Sequence, residues 1–195
     1  MGSQLVTKSF TVEEYERMTE TGILAEDDRV ELIEGMIIEM TPIGSRHAAC
    51  VARLTHLLTQ RLGNQAIVWV QNPVRLSRHS EPQPDLALLR PRHDFYAGGH
   101  PEPADVQLLI EVADASLETD RTVKVPLYAK AGIPETWVVD LEGGRVEVFR
   151  GPNPDGYESV RAVPRGESVA PEAFPVATLA VGDLLPYALP DPDQA

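Results

Sequence analysis

In the segment SRHAACVARLTHLLTQRL, residues 45–62, Val51, Leu54, Leu58 and Leu62 recur at steps of three and four, while Arg53, His56 and Gln60 fall on the opposite side. That period predicts a helix with one buried face. Ser45 is its expected N-cap and Gly63 its stop. His47 lies in the row of Val51 and Leu54 and so points towards the core. A more polar helix is announced earlier by its start. Thr11 and Glu14 make a T-x-x-E capping box, Phe10 and Tyr15 are placed to staple it, and the pattern runs to about Glu20 and stops at Gly22. Between the two, RVELIEGMIIEM reads as two short strands around a tight Glu34-Gly35 turn.

Further along, AIVWVQ, PVRLS and DLALL read as strands, and VQLLIEVA is apolar almost throughout, as in a central strand buried on both faces. TDRTVKVPLYAKAG predicts a helix ending at Gly132, with Pro126 tolerable only in its first turns. ETWVVDL and RVEVFR form the last pair of strands, joined through Glu142-Gly143-Gly144. Strands interleaved with two long helices imply an α/β (α+β) domain, a mixed central β-sheet flanked by helices. No repeat appears. Low complexity is confined to PYALPDPDQA, so the expectation is one domain over residues 1–195, with a core of about 10–185 and a flexible Pro-rich tail at 186–195.

Composition narrows the class. With 43% hydrophobic and 24% charged residues, the chain resembles an ordinary globular domain and not a disordered one. No apolar run approaches the roughly 18 residues of a membrane span, and the first residues lack the apolar stretch of a signal peptide. The single cysteine, Cys50, allows no internal disulfide and reads as a small buried hydrophobe. The cytoplasm is the expected compartment.

The net charge of −13 argues against a polyanionic partner. It is unevenly spread, however: residues 41–93 hold seven arginines against only Glu81 and Asp85, together with four of the five histidines. A basic zone inside an acidic protein suits phosphate contacts, and it suits internal charge balance equally well.

Asp85 sharpens the question. In EPQPDLALLR it follows Pro84 and stands at the head of an apolar strand, where desolvation is costly without a positive partner. Glu111, inside LLIEVAD, is worse placed still. Two carboxylates about 4 Å apart repel by roughly 4 kcal/mol at an effective dielectric near 20, so such a pair needs a cation or a shared proton. Lys124, in the following helix, is one candidate, and Asp120 and Tyr128 at i−4 and i+4 share its face. Oxygen donors without Cys or paired His favour Mg2+ or Mn2+ over zinc.

These residues carry a resemblance. Proline-aspartate at a strand head, glutamate in a following apolar strand and a lysine close behind resemble the PD-(D/E)XK nuclease superfamily. The strings VELIEGMIIEM, GSRHAACVARL, QPDLALL, LIEVAD, DRTVKVPLYAKAGI and ETWVVDLEGGRVEVFR, in that order over roughly residues 10–185, are similar to its Uma-two family, described as "putative restriction endonuclease". One departure is plain: the usual lysine position, two residues after the glutamate, is Ala113, and the family pattern points to Lys124 instead.

The resemblance implies a restriction-endonuclease-like fold and metal-dependent hydrolysis of DNA phosphodiesters. In that scheme Asp85, Glu111 and the Val112 carbonyl hold the ion, and Lys124 orients or deprotonates water or neutralises charge. Glu31 is the upstream acid (Glu34 being a second choice that reads as a turn residue), and Gln83, His47, Asp120 and Tyr128 lie near the site or substrate. Because restriction-type nucleases commonly cut both strands as dimers, a homodimer is expected. The loop 91–105 is a candidate for substrate or subunit contact. The competing reading is a catalytically inactive nucleic-acid- or protein-binding module of the same fold, in which Lys124 turns away from the acids. A purely structural scaffold would show the basic residues dispersed instead of lining a groove.

Overall fold

The structure is a computed structural model and describes residues 7–25 and 27–185. Helix α1 (Val12–Glu20) is followed by the hairpin β1 (Val30–Ile33) and β2 (Met36–Glu39), helix α2 (Ser45–Leu62), and strands β3 (Ile67–Val70), β4 (Leu86–Leu89) and β5 (Val106–Ala113). Helix α3 is α-helical over Leu117–Thr119, π-helical over Asp120–Lys124 and α-helical again over Val125–Lys130. Strands β6 (Glu135–Asp140), β7 (Arg145–Asn153) and β8 (Gly156–Pro164) come next, then the short pair β9 (Ser168–Val169) and β10 (Leu179–Ala180), and helix α4 (Val181–Leu184).

Six strands make one mixed sheet in the order β3-β4-β5-β6-β7-β8. Every neighbouring pair is antiparallel except β5 and β6, which are parallel and connected through α3. The pleat sorts the side chains by face. Leu86, Leu88, Leu108, Ile110 and Val112 pack with the Cys50, Val51, Leu54, Leu58 and Leu62 face of α2. Ala87, Leu89, Val106 and Leu109 turn the other way, to Leu127 and Tyr128 of α3 and Ile33 of the hairpin. Glu111 alternates with Ile110 and Val112, so period two alone aims its side chain at the α3 side.

The capping box at Thr11 and Glu14 is present, with both reciprocal bonds made. Glu34 and Gly35 turn the hairpin with φ of 48° and 80°, the paired positive values of a type I′ turn. Four expectations need correction. The N-cap of α2 is Gly44, not Ser45, which is already helical. PVRLS is not a strand. Its alternation is real, since Val74 and Leu76 are buried, but its N–H groups bond within a loop, Val74 to Pro82 and Leu76 to Ser80.

Pro126 lies inside a continuous helix. The π-helical stretch ends two residues before it, widening the backbone where a regular turn would clash with the Thr122 carbonyl. RVEVFR is followed by one more sheet strand, β8, whose residues are mostly exposed and so show no apolar pattern. Loop 91–105 joins the end of β4 to the start of β5, the end of that hairpin opposite to Asp85 and Glu111. The Pro-rich tail 186–195 lies outside the described residues.

Candidate active site

The register of the sheet brings the two acids together. Leu86 faces Ile110 across β4 and β5, so one step further Asp85 stands opposite Glu111, a like-charge pairing that destabilises an antiparallel sheet unless compensated. Asp85 is held by donors on both oxygens. Its Oδ2 accepts the Val112 N–H at 2.8 Å and meets His47 Nε2 at 2.9 Å; its Oδ1 accepts the Gln71 side-chain amide at 3.2 Å. The Asp85 bond raises the His47 pKa against the opposing effect of burial.

Glu111 is only 3% exposed. Burial pushes its carboxyl pKa well up, Lys124 pulls it back down, and Asp120 and Asp85 push it up again. Lys124 Nζ lies 3.4 Å from Glu111 Oε1 and 3.3 Å from Glu31 Oε2. Burial alone would favour neutral Lys124, but Glu111, Glu31, Asp120 and Asp85 outweigh it and raise the pKa, so the group stands as an ammonium. The Tyr128 hydroxyl donates to Glu111 Oε1; burial first, then the negative charge of Glu111, holds that phenol protonated. Glu31 Oε2 also accepts the Gln83 N–H at 3.1 Å, which ties β1 to the strand-head segment. Asp120, buried and pushed up in pKa mainly by that burial, accepts the Ser116 hydroxyl at 2.7 Å.

One cavity of about 250 Å³ is bordered by Glu31, Gln83, Asp85, Glu111, Val112, Lys124, His47 and Asp120. Of the ten residues singled out for the site in the sequence, only Tyr128 and Glu34 do not border the cavity. Glu34 instead pairs with Lys130 at the surface, as a turn residue would. Gln71 is the participant that sequence reasoning missed; nothing in AIVWVQN marks it, because its role comes from the fold that brings it beside Asp85.

The basic window brings His47 to the cavity but no arginine. None of its seven arginines borders it, and several are engaged elsewhere: Arg46 with Asp114, Arg75 with Glu13, Arg92 with Asp94 and Arg90 with the Ala104 carbonyl. The cavity itself carries the carboxylates of Glu31, Glu39, Asp85, Glu111, Asp114 and Asp120 against Arg29 and Lys124. Its oxygen donors suit a hard divalent ion in kind. In position, no three His, Cys, Asp or Glu side chains among the described residues stand grouped at ligand spacing; Lys124 sits between Glu31 and Glu111.

A family model, Uma2, described as "Putative restriction endonuclease", matches residues 12–182. The chain is also similar to the crystal structure of a "putative nuclease belonging to DUF820" from Anabaena variabilis. The TM-score is 0.68 and the identity 18%, over 90% of this chain and 97% of that one, a likeness of fold. No curated protein matches the chain.

Proposed function

The chain belongs to the Uma2 family of restriction-endonuclease-like, nuclease-type proteins, and from that premise we propose that it is a divalent-metal-dependent endonuclease hydrolysing DNA phosphodiester bonds. The observation that carries the reading is the convergence of Asp85, Glu111 and Lys124 on one cavity, from a strand head, a strand interior and a π-helical turn. The inactive-module alternative would leave Lys124 turned away, for example paired to Asp120; its contacts with Glu111 and Glu31 favour the catalytic reading.

In this scheme Asp85, Glu111 and the Val112 carbonyl would hold Mg2+, with Mn2+ as a substitute, and Glu31 would reach the ion directly or through water. The ion supplies a polarised phosphoryl oxygen and a water of lowered pKa. Lys124, as an ammonium, orients that water and offsets the charge that develops on the phosphoryl group. Tyr128 fixes the Glu111 carboxylate by its hydroxyl bond, and His47 does the same for Asp85. Among the described residues no helix is long and apolar enough to cross a membrane. We place the protein in the cytoplasm, on the strength of its single buried cysteine, and expect it to cut as a homodimer, because both strands of a duplex must be reached.

The test is Mn2+ titration calorimetry on the native chain and on Asp85→Ala plus Glu111→Ala, followed by a cleavage screen on varied DNA with Lys124→Met as control. Binding that vanishes in the double variant, with cleavage that needs Lys124, is expected. Binding without any cleavage would leave the inactive module; no binding by the folded native chain would sink the metal reading.

A further inference from the structure

Gln71 follows the last residue of β3 with φ of 48°, in the left-handed region that a long side chain seldom adopts. Its backbone N–H donates to the Asp85 carbonyl at 3.0 Å, continuing the β3–β4 ladder by one residue. Glycine or asparagine would hold this conformation at lower cost. The neighbouring amide offers no substitute, since Asn72 Nδ2 donates to the Val70 carbonyl at 2.8 Å. What glutamine adds is reach: its Nε2 arrives at Asp85 Oδ1, while Val112 N–H and His47 occupy Oδ2. Strain beside a candidate catalytic carboxylate, at a position where glycine or asparagine would sit more easily, points to a role for the side chain itself.

We infer that Gln71 is a positioning residue for Asp85. By holding Oδ1 while the strand and His47 hold Oδ2, it fixes the plane in which the carboxylate meets a metal ion. Gln71 acts through Asp85 and touches neither metal nor substrate. The inference rests on the reading of Asp85 as a metal ligand.

The experiment is Mn2+ titration calorimetry and thermal unfolding of the native protein, Gln71→Gly, Gln71→Asn and Asp85→Ala. Gly and Asn both relieve the left-handed backbone, and neither side chain reaches Asp85. The expected result is that both variants melt at or above the native temperature yet bind Mn2+ about tenfold more weakly, the loss typical of removing a group that orients a metal ligand. A merely structural glutamine would give the opposite pattern, a lower melting temperature with unchanged affinity, and that result overturns the inference. If the native protein binds Mn2+, Asp85→Ala abolishes it and both Gln71 variants match the native affinity, the positioning role alone fails. If the native protein does not bind Mn2+ at all, the metal reading fails and takes this inference with it.

Discussion

Glu81 is a buried acid outside the cavity, 3% exposed, with no hydrogen-bond partner for Oε2 among the described residues. Burial, reinforced by Glu16 and Glu13 and only partly offset by Arg75, pushes its pKa up to about 7. The unfolded chain has the ordinary value near 4.5, so between the two the folded state binds the proton more tightly and stability falls as pH rises. The contribution is fully present below about pH 4.5 and gone above about pH 7. A shift of that size corresponds to a few kcal/mol at most. Glu81→Gln, neutral at every pH, is expected to match the native protein near pH 4.5 and to exceed it at pH 8. Denaturation midpoints across that range, taken as the difference between the two proteins, check this; equal midpoints at both ends would show that Glu81 is solvated. Such residues divide what sequence can show from what it cannot. Asp85, Glu111 and Lys124 were legible because each breaks a local pattern, an acid in an apolar run or a lysine on a helix face shared with an acid. Glu81 and Gln71 break none. An orphaned oxygen and a left-handed backbone beside Asp85 are created by chain segments distant in sequence.

At the level of elements, the β1–β2 hairpin delivers Glu31 to Lys124, and its turn is constrained twice. Gly35 has φ of 80°, and a Cβ added there would lie 1.9 Å from Ser9 Oγ and 3.0 Å from the Ser9 Cα. Its carbonyl and N–H bond to Phe10 and His79, so three segments cross at a point only glycine fits. Gly22, after α1, has φ of 73° but open space around it. Gly22→Ala therefore isolates the backbone cost, about 1–2 kcal/mol. Gly35→Ala adds a collision with the Ser9 Oγ and Cβ, hard against the Ser9 Cα, and is expected to cost at least twice as much and to weaken Mn2+ binding through Glu31. Urea denaturation of the two variants checks the ratio; similar losses would show that Ser9 moves aside freely. Elements with a clean period were readable in advance: α2 by its apolar stripe, the hairpin by Glu34-Gly35, and β5 by its unbroken apolar run. PVRLS misled because alternation reports one buried and one exposed side, and a loop packed between core and solvent alternates as a strand does. β8 was hidden because an edge strand with exposed faces has no apolar alternation to read.

For the whole molecule, charge decides how a nucleic acid is met. The chain carries −13, several arginines of its basic window are engaged in internal contacts, and the cavity sets six carboxylates against Arg29 and Lys124. A phosphate approaching Asp85 and Glu111 is repelled by the carboxylates of the cavity, since nothing lining it supplies a positive funnel of the kind that draws DNA into other binding clefts. A divalent ion reverses the local sign. On the proposed reading, association with DNA is therefore expected to depend on metal. By fluorescence anisotropy at about 0.15 M salt, a labelled duplex is expected to bind in Mn2+ and to be released by EDTA. The salt dependence should be shallow, with a log–log slope no steeper than about −3, since few phosphates are neutralised by side chains. Tight binding in EDTA with a steep slope would mean that the surface arginines form a tract across the fold or across two copies, and that DNA is first held there and not at the cavity.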